Sequence, residues 1–172
     1  MNIPRIYVAC LSSYNAGVLH GEWINADQSA DGIHAEIQEI LSRSEHKPAE
    51  EWAIHDYVNF GGIELGEYVS IERVAKLAEL VDGHGPAFVA WYESGDGAYL
   101  DLYDLEDAFL DAYQGHYDSL EHYAEEYWNT HYEIPDHLHN YIAWDRMARD
   151  LKTDGYWTEY ADGGGAYVFK PD

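Results

Sequence analysis

RIYVACLSSYNAGVLHGEWI, residues 5–24, is the stretch from which the fold is first read. Residues 5–11 form a short apolar run rich in strand-forming side chains, and residues 18–24 form a second. Between them, Ser12-Ser13-Tyr14-Asn15-Ala16-Gly17 carries the small polar residues and the glycine that turns require. So short a link favours antiparallel pairing, because a parallel pair needs a crossover of about a dozen residues or more. Further along, Ile33, Ile37, Ile40 and Leu41 recur at helical spacing, which predicts a helix over 32–42. Residues 51–58, EWAIHDYV, alternate well enough for a third strand. Phe60-Gly61-Gly62 then reads as a boundary. The expected fold class is α+β, opening with a three-stranded antiparallel sheet and one helix over 1–61.

The next part, 62–101, reads as a small helical domain. Ser70 is placed to cap a helix, and Ile71, Val74, Leu77, Ala78 and Val81 form its apolar stripe. Gly83 is expected to end it. Gly85-Pro86 then opens a short helix through Trp91, with proline at its first position. The last part, 102–172, is expected to hold three helices and a β-hairpin. The first covers 102–113 with Leu102, Leu105, Phe109 and Ala112 inward. The second covers 117–129, with Leu120, Tyr123, Ala124 and Tyr127 inward. Pro135 opens a third that ends near Lys152. Residues 156–160 and 166–169 make the hairpin around Gly163-Gly164-Gly165.

Charge separates this chain from ordinary globular proteins. Its 172 residues hold 33 acids and 9 bases, a net charge of −24. Self-repulsion at that imbalance opposes compaction. Yet 6 Trp, 16 Tyr and 4 Phe provide a core that an acidic disordered tail lacks. The sign argues against a nucleic-acid binder, which needs a basic footprint, and against docking on an anionic membrane. It favours a basic partner surface or a cation. A single cysteine, Cys10, excludes an internal disulfide framework. No apolar run reaches the roughly 18 residues of a membrane span, and no signal peptide is evident. The cytoplasm is the expected location.

The distribution says more than the total. Residues 77–145 contain neither Lys nor Arg. The candidate partner-binding carboxylates lie there: Glu79, Asp82, Glu93, Asp96, Asp101, Asp104, Asp107, Asp111, Asp118, Glu121, Glu125 and Glu126. Ordinary helix surfaces mix signs, because Glu and Lys four apart support one another. Here Asp104, Asp107 and Asp111 stand at i, i+3 and i+7, with Asp101 extending the row by one turn. Asp118, Glu121 and Glu125 repeat the spacing. Neighbours in such a row are about 5–6 Å apart. Duplex DNA carries a charge about every 3.4 Å along each strand. Several acidic helices side by side approach that density, so a groove lined with Lys and Arg would meet them much as it meets phosphates. A single acidic row is ordinarily only a solvated face, and acid-rich surfaces also occur in halophilic proteins. Several rows of one sign, in a region from which bases drop out, argue for more.

Other constellations carry less. His131, His137 and His139 cluster around Glu133 and Asp136, but neither an HExxH motif nor paired cysteines accompany them. No metal site and no cofactor are expected. Asp27-x-Ser29-x-Asp31-Gly32 begins like a calcium loop, but Gln38 stands where a bidentate Glu is required. The glycine clusters lack a following Gly-Lys-Ser/Thr, and Ser12 and Ser13 lack the setting of a hydrolase nucleophile. Cys10 reads as a buried small hydrophobe. Tyr103, Tyr113, Tyr117, Tyr123, Tyr127 and Tyr141 read mainly as core. Trp128, Tyr132 and the hairpin remain open as interface anchors. A non-enzymatic role is expected.

Two blocks of this sequence resemble a known family. Residues 4–11 (PRIYVACL), then Tyr14-Asn15 and residues 17–24 (GVLHGEWI), are similar to the opening of the ArdA antirestriction proteins. Residues 51–56 (EWAIHD) and the acidic run after Asp101 fit the same pattern. The resemblance implies an inhibitor encoded on mobile DNA that mimics bent B-form DNA. It would occupy the DNA groove of a type I restriction–modification enzyme, built of methyltransferase and specificity subunits. It further implies an elongated chain of three small domains and a homodimer formed through the C-terminal one. The antirestriction motif would fall at residues 118–128. No direct nucleic-acid binding is implied. The alternative partner is another basic DNA-binding protein, such as a nucleoid protein or a recombinase.

Overall fold

Ser29 shows how local chemistry starts the first long helix. Its hydroxyl accepts a hydrogen bond from Gly32 N at 3.2 Å, satisfying a donor that the first turn leaves unpaired. Asp31 adds a negative charge at the positive end of the helix. The helix then runs over Ala30–Ser42 and buries Ile33, Ile37, Ile40 and Leu41, the stripe its spacing predicts.

The computed structural model describes residues 2–95 and 97–171. The elements in order are β1 (Arg5–Cys10), α1 (Leu11–Asn15), β2 (Gly21–Asn25), α2 (Ala30–Ser42), β3 (Trp52–Val58), α3 (Ile71–Glu93), α4 (Leu105–Ala112), β4 (Tyr113–Tyr117), α5 (Leu120–His131), α6 (Trp144–Thr153), β5 (Trp157–Tyr160) and β6 (Ala166–Phe169). A 3₁₀ turn over Asp136–Tyr141 precedes α6. The fold is α+β, with two three-stranded antiparallel sheets. The chain divides into two compact units, residues 1–103 and 104–172.

In the first unit the strand order is β2-β1-β3. Ile6 pairs with Ile24 and Tyr57, and Val8 with Glu22 and Ile54. The central strand buries Ile6, Val8, Ala9 and Cys10. β2 begins at Gly21 rather than at residue 18, and Val18 and Leu19 are exposed. The segment expected to be only a turn closes instead as the five-residue α1.

α3 corrects the expected end at Gly83. Ser70 caps it, accepting from Arg73 N at 3.3 Å, but the helix continues past Gly83 and breaks at Gly85. There φ is 64° and ψ is −149°, a conformation closed to residues with a Cβ. Pro86 then opens the second segment, where its missing N–H costs nothing. A straight helix would put Tyr92 about 28 Å along the axis from Arg73. In fact Arg73 Nη2 donates to the Tyr92 hydroxyl at 2.9 Å. The chain therefore reverses at Gly85, and Leu77, Val81, Phe88 and Trp91 are all buried.

The second unit departs further from expectation. The helix expected over 102–113 is shorter, and its last residue begins a strand. β4 pairs with β6, with Gly115 opposite Val168 and Tyr117 opposite Ala166. The expected hairpin is therefore two strands of a three-stranded sheet, in the order β4-β6-β5. The helix expected from residue 117 starts at Leu120, capped by Ser119. The long helix expected from Pro135 is split into the 3₁₀ turn and α6. α5, α6 and the sheet enclose Leu120, Tyr123, Ala124, Ala148, Leu151 and Val168, with Met147 and Tyr156 packed against them. Trp157 stacks on Phe169 at 4.2 Å between ring centroids. No helix among the described residues is long and apolar enough to cross a membrane.

Candidate partner-binding surface

On α3, α4 and α5 the carboxylates are held by helices whose other face is occupied by core. On α4, Leu105, Phe109 and Ala112 point inward, which leaves Asp107 and Asp111 exposed one turn apart. Asp104 occupies the N-cap position, also exposed, and makes no capping bond through its side chain. Glu106 and Asp107 lie in the first turn, where the helix dipole favours negative charge. Asp101 lies outside the helix, so it does not extend the row by a turn of α4.

α5 follows the same logic with two corrections. Leu120, Tyr123 and Ala124 are buried, and Glu121 and Glu126 are exposed. Asp118 precedes the Ser119 cap, so it is not part of a helical row. Its carboxylate is exposed, 3.6 Å from His122 Nδ1. Glu125 is only half-buried surface rather than fully open. Burial pushes the Tyr117 phenol above its ordinary value, and the negative Glu126 adds to that shift.

In the first unit, Glu79 and Asp82 are exposed on α3. They line a groove of about 620 Å³ together with Asp27, Ser29, Glu72 and Lys76. Glu72 is held below its ordinary value, first because it accepts from its own backbone N–H. Slight burial opposes this, and His34 Nε2 at 3.5 Å adds to it. Glu72 and Glu79 stand at i and i+7 on α3, so helical spacing alone sets them on one face, and the packing of α2 on α3 brings Asp27 to them. Glu93 is exposed at the end of α3, with its carboxylate close over Gly62. Asp96 lies outside the described residues.

Among the described residues, two of these carboxylates are paired with lysines. Lys76 Nζ lies 3.2 Å from Glu79, one turn away on α3. Lys170 Nζ lies 2.9 Å from Asp111. The second pair joins β6's end to α4 and was invisible in a stretch that holds no basic residue of its own.

The other constellations also take definite places. Tyr123 is buried and Tyr113, Tyr117 and Tyr127 are partly so. Tyr103 and Tyr141 are 88% and 85% exposed, against the expectation of core. Trp128 stacks on Tyr132 at 4.7 Å. His131 Nδ1 is 2.7 Å from Tyr127 O. Among the described residues, no group of three or more His, Cys, Asp or Glu side chains comes together to hold a metal ion. Cys10 is fully buried. Burial pushes its thiol up, but hydrogen bonding with Ser12, Ser13 and Ser44 outweighs that and sets it at about 7.

The sequence pattern of the ArdA antirestriction protein family matches residues 6–165 of this chain. No curated protein matches it.

Proposed function

The chain belongs to the ArdA antirestriction family, whose function in general is antirestriction through restriction–modification enzymes, and on that premise we propose that it acts as a mimic of B-form DNA. In this reading its carboxylates occupy the DNA groove of a type I enzyme's methyltransferase–specificity complex and exclude DNA competitively. The observation that carries the reading is the pairing of apolar inner faces with outer faces of one sign on α4 and α5. Asp104, Asp107, Asp111, Glu121 and Glu126 are exposed there, in a run of 69 residues, 77–145, without Lys or Arg. Charges about 5–6 Å apart on neighbouring turns draw on the electrostatic attraction that supplies much of DNA affinity.

Glu79, Asp82, Glu93, Asp96, Asp101, Asp118 and Glu125 complete the proposed surface. The proposal retains three functional parts, 1–61, 62–101 and 102–172, and a homodimer through the last. It assigns no catalytic step to the chain. A type I methyltransferase loaded with fluorescent target DNA tests it. The protein should displace the DNA stoichiometrically, and less well at high salt. Replacing Asp104, Asp107, Asp111, Glu121 and Glu125 together by lysine should abolish displacement while the circular dichroism spectrum stays the same. Displacement that survives this replacement overturns the proposal.

A further inference from the structure

Arg73 sits among uncharged acceptors in this acidic chain. Among the described residues it forms no ion pair. It directs its guanidinium at neutral acceptors instead. Nη1 donates to Leu100 O at 3.1 Å. Nη2 lies 3.2 Å from Gly97 O, 3.1 Å from Ala98 O and 2.9 Å from the Tyr92 hydroxyl. Nε reaches the same hydroxyl at 3.3 Å, and Cζ stands 5.7 Å from the Tyr92 ring centroid.

Three backbone carbonyls gathered on one guanidinium make a clasp. Loop carbonyls that have left a helix need donors, and a planar fork supplies several at once from a fixed direction. The seating of the loop agrees independently. A Cβ added to Gly97 would come within 2.7 Å of the Tyr92 ring and 2.9 Å of the Trp91 ring. The loop thus lies hard against the returning half of α3, and only glycine fits at that contact.

We propose that Arg73 is a positioning residue for partner binding, whose clasp on residues 97–100 fixes the exposed Asp101 relative to the carboxylates of α3. The inference rests on the DNA-mimic reading above. A mimic must present its charges at set spacings before binding, because ordering them during binding costs affinity. Asp101 follows directly on the last clasped residue, so its backbone has little freedom while the clasp holds. Charge alone makes the opposite prediction. Removing a cation from an acidic mimic should strengthen its attraction to a basic groove.

That opposition of sign supplies the test. Hydrogen exchange across residues 97–103 and DNA displacement from the methyltransferase are measured on the full chain. The variants are Arg73→Gln, Arg73→Lys and Tyr92→Phe, with Arg43→Gln as a control. Arg43 pairs with Glu22 and also reaches Glu39 O, and among the described residues no hydrogen bond or ion pair joins it to residues 97–100. The clasp predicts exchange about tenfold faster in both Arg73 variants, the equivalent of one lost hydrogen bond to a charged group. Tyr92→Phe, which leaves the charge count unaltered, should fall between them and the wild type. Both Arg73 variants should displace DNA less well, and Arg43→Gln as well or better. Unchanged exchange overturns the clasp. Faster exchange with undiminished displacement overturns its role in binding. Exchange needs no enzyme, so a wild-type chain that displaces no DNA defeats the mimic reading and is told apart from a failed clasp.

Discussion

Lys170 Nζ stands 2.9 Å from Asp111 Oδ1, across 59 residues of sequence, so one carboxylate of the outer face of α4 is partly neutralised by the end of β6. The pair is open to solvent, so its contribution to stability is within about 1 kcal/mol. Its larger effect is on the charge that a partner meets.

Lys170→Gln is therefore expected to improve DNA displacement about two- to threefold at low salt, as one more carboxylate becomes available. The gain should vanish at high salt, and the urea midpoint should hardly move. Poorer displacement by a folded Lys170→Gln protein would count against the reading of Asp111 as part of the surface.

A distributed surface tolerates single losses. Asp107→Asn should weaken displacement less than about threefold while lowering the salt slope by roughly one unit. Titrations at four salt concentrations measure both. A single substitution that abolishes displacement would point to a localised site instead.

Ser119 holds the start of α5 through the bond from His122 N at 3.2 Å. Ser119→Ala should cost about 1 kcal/mol. Urea unfolding of the second unit, followed by tryptophan fluorescence, would register this. An unchanged midpoint would mean that the cap contributes nothing.

Alkaline pH should destabilise the second unit. Burial raises the phenols of Tyr113, Tyr117 and Tyr123 above their ordinary 10.0, and Tyr123 lies furthest above it, with Tyr156 adding to the shift. The folded state thus holds these protons more tightly than the unfolded state. Their contribution is fully present below pH 10 and is lost as pH rises through the folded values. Tyrosinate absorbance at alkaline pH should rise together with loss of circular dichroism. Ionisation well before any unfolding would contradict the burial.

The N-terminal sheet and α2 were legible because their signals are local. The apolar run of residues 5–11, the alternation in residues 51–58 and the Ile33-Ile37-Ile40-Leu41 spacing each fit within a dozen residues. The second unit was less legible. Residues 113–117 read in the sequence as the end of one amphipathic helix, a break at Gly115 and the start of a second. Only β6, about fifty residues later, recruits them as a strand. Tyr103 and Tyr141 misled for a related reason. An aromatic residue in a polar helix suggests core, but the side chain is buried only if another element covers it.

The sequence by itself determined the α+β class, the strands of the first sheet, the capped start at Ser70, and the loss of basic residues over 77–145. These rest on periodicity, capping and composition, which act over a few residues or need no geometry. The tertiary structure alone decided that α3 reverses at Gly85 and that Arg73 reaches the loop at 97–100. It also decided that Asp27 joins Glu72 and Glu79 at one groove, and that Lys170 covers Asp111. These depend on packing between residues far apart in the chain, where side-chain volume and hydrogen-bond demand select among pairings that local pattern leaves equal.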